Sequence, residues 1–99
     1  MASKVIIWSE RAENELKSNL DFFNERNGNL IYSLKLVAEI EKLMKVLSAN
    51  ELMGRLASNK KTRVIVKNVY LIFYEISDER IEILSFWNNQ QNPKKRLKI

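Results

Sequence analysis

The chain of 99 residues has no cysteine and no histidine. Their absence excludes disulfides, thiolate nucleophiles, Cys/His zinc sites and imidazole acid–base catalysis. Any chemistry near neutral pH must come from Lys, Arg, Tyr, Asp, Glu or Ser. Only two glycines and one proline occur, against 45% hydrophobic residues, which suits a packed chain rather than a disordered one. No apolar run approaches the roughly 20 residues of a membrane span. The opening MASKVIIWSE has an apolar run of four residues followed by an acid, which is not a secretory signal. The expectation is a cytoplasmic protein, one domain over residues 1–99, without cofactor, metal or membrane.

What is present is charge, unevenly placed. The net charge is +5. Residues 1–50 balance seven cations with seven acids, whereas residues 51–99 carry ten cations and five acids. Arg55, Lys60, Lys61, Arg63 and Lys67 form one acid-free group; Lys94, Lys95, Arg96 and Lys98 form another. Brought together, they would make a basic face suited to nucleic acid or an acidic protein. Kept apart, they are solvated lysine-rich loops and tails.

Lys4 to Trp8, KVIIW, reads as a short strand. Ser9 offers an N-cap, with Glu10 and Glu13 near the positive end of a helix dipole. Ala12, Leu16, Leu20 and Phe23 recur at helical spacing as one apolar stripe. Gly28 can take the left-handed position that ends this helix, and Asn29 can cap the next. Residues 10–26 and 30–48 thus read as an antiparallel helical hairpin. The second helix is apolar over a wide arc, including Leu30, Leu34, Leu36, Val37, Ile40, Leu43, Met44 and Leu47. Either it lies between a sheet and the first helix, or one flank receives a partner's helix.

From Arg63 the pattern becomes extended. Arg63–Val66, Val69–Ile76 and Arg80–Trp87 read as a meander, with Lys67-Asn68 as the first turn and Ser77-Asp78-Glu79 as the second. The middle strand is apolar on both faces, with Tyr70, Ile72 and Tyr74 on one and Leu71 and Phe73 on the other. Helices cover one face, and the other stays exposed unless something binds it. The order β-α-α-β-β-β gives an α+β, two-layer fold: a helical hairpin packed on a mainly antiparallel sheet.

Three segments carry a resemblance over nearly the whole chain. VIIWSERAENEL resembles the pattern W-S-x-x-A-x-x-x-L. VYLIFYEI followed by RIEILSFW is similar to a Y-x-I-x-Y strand and its partner. FWNNQQNPKK is similar to an ending in which an aromatic strand end runs into a polar segment, N-P and lysines. Together they resemble the RelE/ParE superfamily, toxins of type II toxin–antitoxin systems, and its ParE-like branch. The resemblance implies a toxin of plasmid-stabilisation type with a cognate antitoxin as partner. It implies that the antitoxin covers the second helix and an apolar sheet face: Leu36, Leu43, Tyr70, Ile72, Tyr74 and Trp87.

The superfamily holds two activities. RelE-like members cut messenger RNA on the ribosome, and ParE-like members bind and block DNA gyrase. The resemblance implies that a RelE-like nuclease would carry cations on the first meander strand and titrating groups at the C-terminal end. Here Arg63 and Lys67, with Tyr70, are the only such set. Leu71 stands where an arginine belongs, and Asn88-Asn89-Gln90-Gln91-Asn92 replaces the usual cation and tyrosine. Amides do not titrate and cannot serve as general acid or base. The departures favour the ParE-like activity, with Arg63, Lys67, Trp87, Asn88, Gln90, Gln91, Lys94, Lys95 and Arg96 as candidate target contacts. The alternatives are a ribosome-dependent mRNA endoribonuclease using Arg63, Lys67 and Tyr70, and a basic α+β binding domain without toxicity.

Overall fold

The computed structural model describes residues 3–91 and 93–98, so Asn92 of the amide cluster lies outside the described residues. The chain runs β1 (Val5–Trp8), α1 (Glu10–Asn27), α2 (Ile31–Ala49), β2 (Arg55–Leu56), β3 (Thr62–Lys67), β4 (Tyr70–Ile76), β5 (Arg80–Asn88) and a 3-10 turn (Pro93–Lys95). The strands form one sheet in the order β1-β5-β4-β3-β2. Only the β1–β5 pair is parallel; the other three pairs are antiparallel. The expected α+β architecture is present, with two differences. A further short strand, β2, lies between the helical hairpin and the meander, and its two residues are too short for any periodicity. The first meander turn is Asn68-Val69 rather than Lys67-Asn68, because Lys67 pairs with Tyr70 across the ladder. Asn68 takes φ 54 there, a left-handed position that asparagine tolerates.

The helices start and stop where side-chain chemistry requires it. Ser9 caps α1 by accepting the Ala12 N–H at 3.1 Å, with Glu10 and Glu13 in the first turn. Gly28 ends it at φ 67, its N–H returning to Asn24 O. The Asn29 Oδ1 accepts the Ile31 N–H at 3.0 Å and so satisfies one free donor at the start of α2.

One side of the sheet holds the core. Ile65, Tyr70, Ile72, Tyr74, Ile81, Ile83 and Phe86 pack with Ala12, Leu36, Ile40 and Leu47 of the helices. The β4–β5 ladder contains a bulge: Phe73 faces Ser85 and Tyr74 faces Ile83, so Leu84 is extra. Helix α1 fastens this irregularity. Ser9 donates from Oγ to Leu84 O at 3.0 Å. Glu15 accepts from the Ser85 hydroxyl at 2.6 Å and from the Phe86 N–H at 3.2 Å. The half of β5 that β1 does not reach is thereby tied to α1 by side chains instead of a neighbouring strand.

Candidate interaction surfaces

Residues Arg63, Ile65 and Lys67 alternate onto the helix side of β3, since Ile65 belongs to the core. The Arg63 Nη1 donates to Gly54 O at 2.8 Å and to Leu52 O at 3.3 Å. Lys67 stands 3.7 Å from Glu39 of α2. Four strand positions place the two cations about 13 Å apart along β3. The Tyr70 ring is 1% exposed, and its hydroxyl has the Tyr32 hydroxyl at 3.1 Å. Burial pushes the Tyr70 phenol well above its ordinary value, and the Tyr32 hydrogen bond adds to the shift. The candidate nuclease trio is therefore two cations occupied at opposite ends of one strand and a buried phenol hydrogen-bonded to Tyr32. Nothing in that arrangement converges on a phosphate.

The candidate target contacts divide in two. Trp87 is only 4% exposed and pairs with Leu71, which pairs in turn with Val66. This row lies on the sheet face opposite the helices, because its neighbours Phe86, Ile72 and Ile65 form the core row. Asn88 is buried too. Its Nδ2 donates to Asn19 Oδ1 at 3.3 Å, and its Oδ1 accepts the Gln90 N–H at 2.9 Å. Both residues belong to the framework, as do the engaged Arg63 and Lys67. The exposed members are Gln90, Gln91, Lys94, Lys95 and Arg96. This segment is fixed at its base by the Asn89 N–H to Val69 O at 2.7 Å and the Gln91 N–H to Asn88 O at 3.0 Å. Further along, the Arg11 Nη2 donates to Lys95 O at 2.9 Å.

The two basic groups do not merge into one face: of the first group Lys67 lies at the end of the sheet where Tyr70 faces Asn88, and Lys61 lies at the other. Lys61 pairs with Glu75 at 3.6 Å, at the end of the sheet where Thr62 faces Glu75. The C-terminal segment leaves from the other end, where Tyr70 faces Asn88. Roughly 16 Å of strand separates the two.

The apolar set assigned to an antitoxin is largely core. Leu36, Tyr70, Ile72 and Tyr74 are buried, and Leu43 packs half-buried against them. Since these four side chains are already covered by their own chain, a partner has no access to them. What stays open is a groove between the helices. Its wider part, about 550 Å³, is bounded by Leu16 and Leu20 of α1 and Leu34 and Val37 of α2, with Leu30, just before α2, and Trp8 lining it as well. It continues past Val37 to Ile40 and Met44, with a further 380 Å³. Leu34 is 66% exposed. The rim is charged, with Glu13, Lys17 and Asp21 on one side and Glu41 and Lys45 on the other. The wide apolar arc of α2 was compatible with burial between sheet and first helix or with a free flank, and the groove leaves one flank open. Which flank faced the sheet could not be read from periodicity, since both are apolar.

Among the described residues no cluster of three or more acidic side chains is placed to hold a metal, and no helix is long and apolar enough to cross a membrane.

The sequence profile described as "ParE toxin of type II toxin-antitoxin system, parDE" matches residues 6–93. Among curated proteins nothing matches. Among solved structures the chain is similar to one titled "Chromosomal ParDE TA system from P. aeruginosa", at a TM-score of 0.71 and 22% identity over 85% of this chain and 94% of that one. At that identity the likeness speaks for the fold.

Proposed function

The chain belongs to the family of ParE toxins of type II toxin–antitoxin systems, and from that premise we propose that it binds and inhibits DNA gyrase and is neutralised by a cognate antitoxin. One observation carries the choice of a binding inhibitor over a nuclease. Arg63, Lys67 and Tyr70 are each committed to a partner within the fold, so the residue types that ribonuclease chemistry needs are not assembled. Gln90, Gln91, Lys94, Lys95 and Arg96 are the exposed members of the candidate target surface, which a partner can reach. On this proposal the whole chain, 1–99, is one toxin domain, and it acts in the cytoplasm where gyrase works on plasmid and chromosome.

The antitoxin occupies the groove between α1 and α2. An amphipathic helix with apolar residues at i, i+3 or i+4, and i+7 fits a groove bounded by two helices, with its own charges meeting the mixed rim. Leu34 is central to the groove wall. Leu34→Asp puts an unpaired charge there while leaving the core untouched. Loss of one apolar anchor of about 2 kcal/mol corresponds to roughly 30-fold weaker binding of the antitoxin in a titration.

The test of the target is inducible expression in bacteria, with plasmid supercoiling and message integrity followed together. Loss of supercoiling or gyrase-linked DNA breaks, with intact messages, is the expected result. Codon-phased message cuts with normal supercoiling would replace the proposal with a ribosome-dependent endoribonuclease. Normal growth with both readouts unchanged would reduce the chain to a basic binding domain.

A further inference from the structure

The most cationic segment of the chain is also among its least buried. Lys94, Lys95, Arg96 and Lys98 follow Pro93 without an intervening acid, and all four are exposed. The segment has a fixed start: Pro93–Lys95 form a 3-10 turn, the Arg96 N–H returns to Pro93 O at 3.2 Å, and the Gln91 N–H to Asn88 O. Arg11 holds the Lys95 carbonyl from α1 and is itself paired with Glu15 at 3.6 Å, so it positions the segment and leaves the phosphate contacts to the segment's own cations.

The chemistry of the segment separates the polyanions it would meet. A protein interface draws its energy from buried aromatic or apolar anchors and is depleted in lysine. Between residues 89 and 98 the described side chains include no aromatic, and Leu97 is already half-buried. Single-stranded RNA is held by stacking bases on aromatic rings, and Trp87, just before the segment, is sealed in the sheet. Duplex DNA asks for neither. Its phosphates take Lys and Arg, and amide side chains add hydrogen bonds to the backbone. Asn89, Gln90 and Gln91 are exposed directly beside the cations.

We propose that residues 89–91 and 93–98 form a contact surface for the phosphate backbone of duplex DNA, without sequence preference. In the target reading the segment meets the gyrase–DNA assembly on its DNA side. The inference rests on that reading only for its setting: a toxin meeting gyrase with its DNA would hold the DNA through this arm.

The experiment is fluorescence anisotropy of a labelled 20-base-pair duplex titrated with the full chain at 50 to 200 mM salt. Displacing counterions from four phosphates gives a slope of about −3.6 in log affinity against log salt, an affinity loss on the order of 100-fold across that range. Lys94→Gln, Lys95→Gln, Arg96→Gln and Lys98→Gln combined should bring the slope to within about one of zero. Lys42→Gln with Lys60→Gln, exposed cations elsewhere, should leave it in place. Circular dichroism confirms that both variants are folded. No binding at 50 mM salt, an unchanged slope in the fourfold variant, or an equal loss in the control variant overturns the proposal. Tighter binding of single-stranded RNA of the same length also overturns it. Gyrase inhibition is scored separately in a supercoiling assay. Failure there with DNA binding intact removes the target reading and leaves this surface standing.

Discussion

The helix-covered face of the sheet and the open face are built from similar residues and do different work. On the covered side Ile65, Tyr70, Ile72, Tyr74, Ile81, Ile83 and Phe86 make one cluster with both helices. On the open side Val5, Ile7 and Val66 remain in solvent, yet Phe73 and Trp87 are buried without belonging to that cluster. Apolar composition therefore does not identify the binding surface of this chain. Position in the ladder does: at the β1 edge and at Val66 the open face is wet, and at the centre of β4 and the end of β5 it is closed.

The largest expected effects test whether the closed part of the open face is true core. Ile72→Ala, on the covered side, should cost about 2–5 kcal/mol, and Trp87→Ala, on the open side, about 3–5 kcal/mol. Urea denaturation of both variants reads the comparison directly. If Trp87→Ala costs under 1 kcal/mol while gyrase inhibition collapses, Trp87 is an interface anchor and its burial is incidental.

Next in size is the loop that joins α2 to the sheet. The Tyr74 hydroxyl accepts the Gly54 N–H at 2.9 Å and donates to Glu51 O at 2.7 Å. An added Cβ at Gly54 would lie 2.7 Å from Tyr74 Cε1 and 2.8 Å from its hydroxyl. Gly54→Ala must push apart a ring and a backbone that are both fixed, at about 1–3 kcal/mol. Tyr74→Phe leaves the Gly54 N–H without its partner, at about 1–3 kcal/mol. Both losses should appear in thermal melts while the exposed C-terminal segment keeps its activity. Equal loss of target inhibition at a temperature where the variants remain folded would connect the loop to the site.

A pH series gives a smaller and more selective signal from the covered face. Burial raises the Tyr70 phenol, with Tyr32 adding to it. Burial is also the leading cause at Tyr74, where the Gly54 N–H and Arg63 oppose the shift and Glu51 adds to it. A phenol whose folded value is raised contributes stability that is fully present below the unfolded value of about 10 and is lost as pH rises beyond it. Stability should be flat for these two groups from neutrality to about pH 10 and then fall. Tyr70→Phe should make that alkaline fall shallower. An unaltered slope would mean that the Tyr70 ring is not held away from solvent.

Much of the covered face was legible in the residues. Ser9, Gly28 and the stripe Ala12-Leu16-Leu20 placed α1 correctly, and the Val/Ile/Tyr-rich runs placed β3, β4 and β5 to within a residue or two. Which face of β4 met the helices was not legible, because Tyr70, Ile72 and Tyr74 alternate with Leu71 and Phe73, and both sets are apolar. That ambiguity is why core residues stood as antitoxin contacts. Asn88 illustrates the same limit for polar groups. Nothing local distinguishes it from Asn89, but its amide reaches Asn19, 69 residues away in sequence. Glu15, which fastens the β5 bulge, gave no signal either, since an acid at helical spacing reads as solvated. The groove was half legible: its leucines were visible as a surplus, and the vacancy beside them was a fact of tertiary packing.

The smallest effect belongs to the exposed end of β3. This strand runs past β2, whose partners end at Arg63 and Val64, so Ile65 to Lys67 form an edge. Val66 there is 69% exposed on the open face. Val66→Lys should change stability by no more than about 0.5 kcal/mol, as for a surface site without partners. An uncovered edge with an apolar side chain is also a template for pairing with other chains, and lysine at an edge discourages it. The variant should therefore remain monomeric to higher concentration in analytical ultracentrifugation, with an unaltered melt. A loss above 1 kcal/mol would mean that the row Val66, Leu71 and Trp87 is a continuous second core, and the two faces would then differ in extent rather than in kind.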